Sequence, residues 1–309
     1  MKSADSFKLT ISLFCVSFFW GTTYLAVRIA VQTIPVFYIV GLRHFMAGMI
    51  LLSYLIINKK LEMPNKGRFF HNLLSAFLML VLGNGLTAYG ELTVSSGLTA
   101  LLTTLSPLIV MFINLLSGRE KMSLKIILGV VLGLLGMVLI FFNSLSQLID
   151  PQYRTGIISI LLAISCWSIG TVYAKSGKHE KNNIILDLCI QMLFAGTGLL
   201  LIGLISGIPF NISMWKTSNI LAVFYLTFFG SIAGYISYLY ALSKLPSTSV
   251  SVFTYFNVVV ALFLGWLILD ERITSRLIFA TILILAGVLL ANYRKKSAAP
   301  AVQGMIIEE

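Results

Sequence analysis

The chain has 309 residues, of which 58% are hydrophobic and 11% charged, where soluble domains carry about 25% charged residues. A mean hydropathy of +0.95 excludes a water-soluble globule. The net charge of +11 does not point to nucleic acid, because the basic residues lie in short segments between apolar runs rather than on a solvated face.

Ten apolar runs are predicted as membrane-spanning helices, at about residues 9–27, 36–57, 71–90, 97–116, 124–142, 155–175, 184–206, 218–243, 248–268 and 275–293. Each is about as long as 30 Å of hydrocarbon requires, and none alternates with the period of a barrel strand. The first run follows Lys2 and Lys8 but lacks a small-residue cleavage site, so it is expected to stay as a helix. With a cytoplasmic amino terminus, only Arg28, Arg154, Lys216, Arg272 and Arg276 fall on outer segments and Arg43 within a span. The other basic residues are then inside, so both termini are expected in the cytoplasm of a bacterial inner-membrane protein.

The chain repeats itself. Ser95–Lys125 slides by 151 positions onto Pro246–Arg276 without a gap, pairing Thr103 with Thr254, Ser106 with Asn257 and Glu120 with Glu271. Gly83 pairs with Gly234 and Gly136 with Gly287 in the same register. At a slightly shorter shift Trp20 meets Trp167, and Ala47-Gly48 meets Ala195-Gly196. Five spans per half is an odd number, so the second half must cross in the opposite sense. The expected fold is therefore an all-α integral membrane protein of ten transmembrane helices in two inverted five-helix repeats, residues 1–145 and 146–296, followed by a loose tail, 297–309.

Trp20-Gly21, Leu42-Arg43 with Ala47-Gly48, the run SSGLTALLTTLSPL ending at Gly118-Arg119-Glu120-Lys121, and its echo Leu269-Asp270-Glu271-Arg272 resemble the EamA-type transporters of the drug/metabolite transporter superfamily. The resemblance runs from about Leu9 to Tyr293. It implies a central cavity between the repeats and export of small metabolites such as amino acids or related amphipathic compounds. The second copy departs from the first where Ser168 replaces Gly21, Gln191 replaces Arg43 and Val258 replaces Pro107. Roles of Arg43 and Pro107 are thus not carried across the repeat.

Polar side chains within spans are costly unless they face protein or water. Asn84, Thr87 and Glu91 share one face of the third run, Thr99, Thr103 and Ser106 one of the fourth, Ser231, Tyr235 and Tyr238 one of the eighth, and Ser251, Thr254 and Asn257 one of the ninth. The expected substrate cavity is lined by Trp20, Thr23, Tyr24, Asn84, Thr87, Glu91, Thr103, Trp167, Tyr235, Tyr238, Thr254 and Asn257. The bland reading of each hydroxyl is helix-to-helix glue, and of each aromatic an interface anchor.

Arg43 either snorkels or forms a charge pair with Glu91, which is the residue named for coupling to a proton; exchange against a second substrate is the other coupling expected. Asp187, near the cytoplasmic end of the seventh run, is expected to be wetted. Gly83-Asn84-Gly85, Pro107, Gly230 and Gly234 are expected to loosen their helices, whereas Gly129, Gly133 and Gly136 read as a tight helix contact.

Cys15, Cys166 and Cys189 share no ligand spacing, and His44, His71 and His179 sit on separate segments, so no metal or other cofactor is expected. The partners expected are a small-molecule substrate and the lipid bilayer. An enzyme would need a nucleophile, base or metal cluster that the sequence does not display. An integral-membrane enzyme, or a membrane subunit without transport of its own, is the alternative reading.

Overall fold

The computed structural model describes residues 3–94, 99, 102–119, 123–140, 142, 150–177, 183–269 and 274–292. Among these, all regular structure is helical. The helices are α1 Ser3–Ala30, α2 Val36–Ile57, α3 Lys66–Gly90, α4 Ser106–Leu116, α5 Leu124–Ile140, α6 Arg154–Ser176, α7 Ile184–Ile205, α8 Thr217–Lys244, α9 in two pieces, Ser247–Val252 and Thr254–Leu269, and α10 Ser275–Asn292. Five of them, α2, α3, α6, α7 and α8, are long and apolar enough to cross a membrane, and α1, α4, α5 and α10 contain shorter apolar stretches. A helix satisfies its own backbone, which hydrocarbon demands. Side chains such as Phe14, Ile57, Leu201 and Leu289 point outward and are exposed, as lipid-facing residues are. The protein is a multi-pass membrane protein.

Helix ends follow local chemistry. Pro35 precedes α2, where its missing N–H costs nothing. Asn65 caps α3 by accepting from the Arg68 amide at 2.8 Å, so this helix starts at Lys66, earlier than the apolar run at 71 suggests. Gly118 and Gly207 follow α4 and α7 with φ of 62° and 69°, the left-handed conformation that ends a helix.

The glycine-rich positions loosen two helices as expected, in a particular way. Phe77–Asn84 within α3 and Leu226–Ala233 within α8 are π-helical, so the ladder widens without breaking. Ahead of α4 the chain turns at Thr104 and Leu105, and Pro107 sits in the first turn. Its counterpart α9 also turns, at Phe253, although Val258 stands where Pro107 would be. That interruption does not require proline.

The most extensive contacts join α2 to α7, α5 to α10, α3 to α6 and α1 to α8. They fall in mated pairs. A side chain at Gly48 would strike Leu193, and one at Gly196 would strike Phe45, its counterpart across the repeat. On the second seam, Gly129 packs on the Gly287 carbonyl and Gly136 on the Ala280 carbonyl. Gly133 receives the ring of Tyr255. Gly129, Gly133 and Gly136 thus make the close helix contact expected of them.

Candidate functional site

At the centre, α1, α6 and α8 bring together Trp20, Trp167, Tyr235 and Tyr238. Every pair among these four rings is in contact, with centroids 5.1 to 6.1 Å apart. Trp20 packs against Gly234 and Trp167 against Gly83, each indole lying on the glycine that follows or ends a π-helical segment. Trp20 Nε1–H donates to the Gly230 carbonyl at 3.1 Å, and the Tyr238 and Thr171 hydroxyls share a hydrogen bond of 2.7 Å. The four aromatics expected to wall a cavity form one aromatic plug in which each ring touches the other three.

The other expected residues lie around this plug. Asn84, on α3, meets His44 Nε2 through its amide nitrogen at 3.1 Å. Thr87, Thr23 and Thr254 bond back to carbonyls of their own chain segments, Gly83, Trp20 and Ser251. Thr103 is half-buried just ahead of α4. Asn257 is buried, its Oδ1 without a partner and its carbonyl against Gly21. Ser106 meets Ser168 at 3.1 Å rather than Asn257. The side chain of Tyr24 lies outside the described residues, as do Glu120, Asp270, Glu271 and the tail at 297–309.

Arg43 and Glu91 do not form the expected charge pair. No contact within 4.0 Å joins them, and Arg43 Nε is buried without a hydrogen-bond partner. The ion pair among the described residues is Arg68 with Asp187 at 2.7 Å. Asp187 is only 8% exposed, so the expectation that it is wetted fails. The N-terminal extension of α3 carries Arg68 over it, and a basic partner makes its burial tolerable.

Two groups of residues escaped the sequence reading. His44 is buried on α2, with Nδ1 3.0 Å from Met192 Sδ and 3.4 Å from Ser231 Oγ. The second group is a polar chain. Arg68 Nε and Asn72 Nδ2 both donate to Asp187 Oδ1, and Gln191 Nε2 donates to Asn72 Oδ1 at 2.7 Å. Asn72, Asp187 and Gln191 line a cleft of about 340 Å³ between α3, α6, α7 and α8, at the end that carries Lys66, Arg68, Lys175 and Lys244. The signal was present: Arg68, Asn72 and Ser75 share one face of α3, and Asp187 and Gln191 share one of α7.

Comparison with known proteins agrees with this architecture. The chain is 29% identical over 305 residues to the uncharacterized inner membrane transporter YedA of Escherichia coli K12, covering 94% of this chain and 95% of that one. It is 26% identical over 288 residues to the uncharacterized transporter YoaV of Bacillus subtilis 168, covering 93% and 97%. A chain of known crystal structure superposes with a TM-score of 0.77 at 16% identity, covering 92% of this chain and 96% of the other, which establishes a shared fold. Residues 8–142 and 154–293 match the EamA-like transporter family, and the chain belongs to that family of membrane transporters.

Proposed function

We propose that the protein is a secondary transporter in the inner membrane of a bacterium, moving small amphipathic metabolites, amino acids or related compounds, by alternating access between two inverted five-helix repeats, 1–145 and 146–296. The observation that carries this reading is the exchange of contacts about the four-ring plug. Trp20 of the first half rests on Gly234 of the second, and Trp167 of the second rests on Gly83 of the first. Gly21 with Asn257, against Ser168 with Ser106, repeats the exchange one residue further along. Such reciprocity supports a two-fold axis lying in the membrane plane, the arrangement in which one half rocks against the other.

In this reading the plug is the barrier of a closed state. Rocking parts the four rings, and substrate then lies against Trp20, Trp167, Tyr235 and Tyr238, with Asn84, Thr87, Thr103, Thr254 and Asn257 on the flanking helices. The rings offer flat apolar faces, and the amides and hydroxyls satisfy the polar end of an amphipathic molecule. The π-helical segments of α3 and α8 are where the helices yield, because a widened ladder is exchanged for a regular one at small cost. Both termini face the cytoplasm, and coupling runs through Glu91 or through exchange.

Efflux of a panel of radiolabelled metabolites from proteoliposomes holding the purified protein tests the function. Saturable efflux that a cross-link between α3 and α8 abolishes is the expected result. Efflux indifferent to that cross-link, or none with any of the amphipathic metabolites, overturns it. Reporter fusions at the two termini test the topology, and a periplasmic signal from either one refutes it.

A further inference from the structure

We infer that the cleft between α3, α6, α7 and α8 is a recognition site for a primary ammonium group, distinct from the aromatic plug. The argument starts from the direction in which the polar chain must run. Asp187 is ion-paired to Arg68, and its carboxylate only accepts hydrogen bonds. Asn72 therefore turns its NH2 group toward Asp187, at 2.6 Å, and its carbonyl oxygen the other way. That oxygen takes the NH2 group of Gln191, at 2.7 Å. Gln191 is left with its carbonyl oxygen free. The carboxylate thus sets both amides, and neither can flip without breaking the chain.

Gln191 is only 3% exposed and lines the cleft, yet its Oε1 has no hydrogen-bond partner. Ser75 lines the same cleft, is fully buried, and its Oγ is also unpartnered. Both bonds to Asp187 fall on Oδ1, so Oδ2 remains as a third acceptor. A buried acceptor left without a donor is costly. Three atoms able to accept lie on α3 and α7, and R–NH3+ brings three donors to them, whereas an alcohol brings one and a carboxylate none.

The charges around the cleft leave selectivity to these acceptors rather than to net charge. Arg68 neutralises Asp187 from outside the lining, and Lys175 Nζ is held to the Leu242 carbonyl at 2.6 Å on the α6 and α8 side. The acceptor face is therefore on the α3 and α7 side, opposite the lysine. Recognition of the ammonium group by the folded chain requires no transport; only the role of the cleft as a loading site on the cytoplasmic side rests on the transporter reading.

The test is ligand-observed NMR titration of the purified full chain in detergent with n-butylamine, n-butanol and n-butyrate, which share one alkyl tail. Butylamine is expected to bind about tenfold or more tightly than the other two. Gln191→Leu is expected to weaken it about tenfold and Ser75→Ala about threefold. Ser75→Ala removes only an unbonded hydroxyl, so it keeps the test decisive if Gln191→Leu does not fold. Equal or tighter binding of butyrate or butanol, or butylamine affinity unchanged in Ser75→Ala, overturns the site. Efflux without butylamine binding sinks this site and spares the transporter; butylamine binding without efflux does the reverse.

Discussion

Trp20 and Trp167 meet edge to face at the centre of the protein, their ring centroids 5.8 Å apart and their planes at 74°. One comes from each half of the chain, and each also touches Tyr235 and Tyr238. The two halves thus share a single aromatic contact rather than enclosing separate cores there. In the proposed cycle the four rings are either packed or parted, which is the kind of element that two global states require.

Trp20 is expected to be the more demanding member because its indole N–H also bonds the Gly230 carbonyl within the π-helical part of α8. Trp20→Phe keeps most of the ring area and loses that bond, at about 1 kcal/mol. Trp20→Ala empties the centre and costs about 3 to 5 kcal/mol. Thermal unfolding in detergent measures both. Equal melting of the two variants would show that the hydrogen bond, not the ring, carries the effect.

The Arg68 and Asp187 pair ties the beginning of α3 to the beginning of α7, with each side chain 11% exposed. Truncating either one leaves a poorly hydrated charge, so Arg68→Ala or Asp187→Ala is expected to cost about 3 kcal/mol. Removing both should cost less than the sum of the two, by more than about 1 kcal/mol, in a double-mutant cycle. Additive losses would mean that the two charges are screened from one another.

Gly196 and Gly198 lie two residues apart on α7 and are expected to respond in opposite ways. A methyl at Gly196 would press into the backbone of Phe45, whereas one at Gly198 meets only Val81, 3.9 Å away. Gly196→Ala should therefore force α2 and α7 apart and cost about 1 to 3 kcal/mol. Gly198→Ala should be neutral or stabilising by up to about 1 kcal/mol, since alanine favours a helix. Comparison of the two melting temperatures decides it.

How much of this was legible follows from what each signal depends on. The ten apolar runs depend on hydropathy and length, and both are properties of short windows. The repeat depends on residue identities, which is why Gly129, Gly133 and Gly136 pointed to a tight seam that the fold then places against α10. Polar partners are different, because they depend on where helices far apart in sequence come together. Arg43 and Glu91 were natural partners by depth, yet Asp187 pairs with Arg68, whose helix starts five residues before the apolar run. In the sequence His44 stands on a segment apart from His71 and His179, and no sequence window joins it to Asn84, Met192 and Ser231. The four aromatics lie on helices that meet, but periodicity alone does not show that their rings touch one another.

His44 is the remaining junction, and its contacts dictate a specific pattern of losses. With the Asn84 amide donating to Nε2 at 3.1 Å, the neutral ring carries its proton on Nδ1, which points at Met192 Sδ and lies 3.4 Å from Ser231 Oγ. His44→Phe keeps a ring in this buried position but strips Asn84 and Ser231 of their partner, at about 1 to 3 kcal/mol for each group left unsatisfied. Replacing the partner as well should remove much of that penalty, because an apolar pair has nothing to satisfy. His44→Phe is therefore expected to melt well below the parent, and His44→Phe with Asn84→Leu to recover part of the loss. If the double variant is instead the less stable by the full sum, Asn84 is held by contacts other than His44, and α2 and α3 are joined by packing alone at this depth.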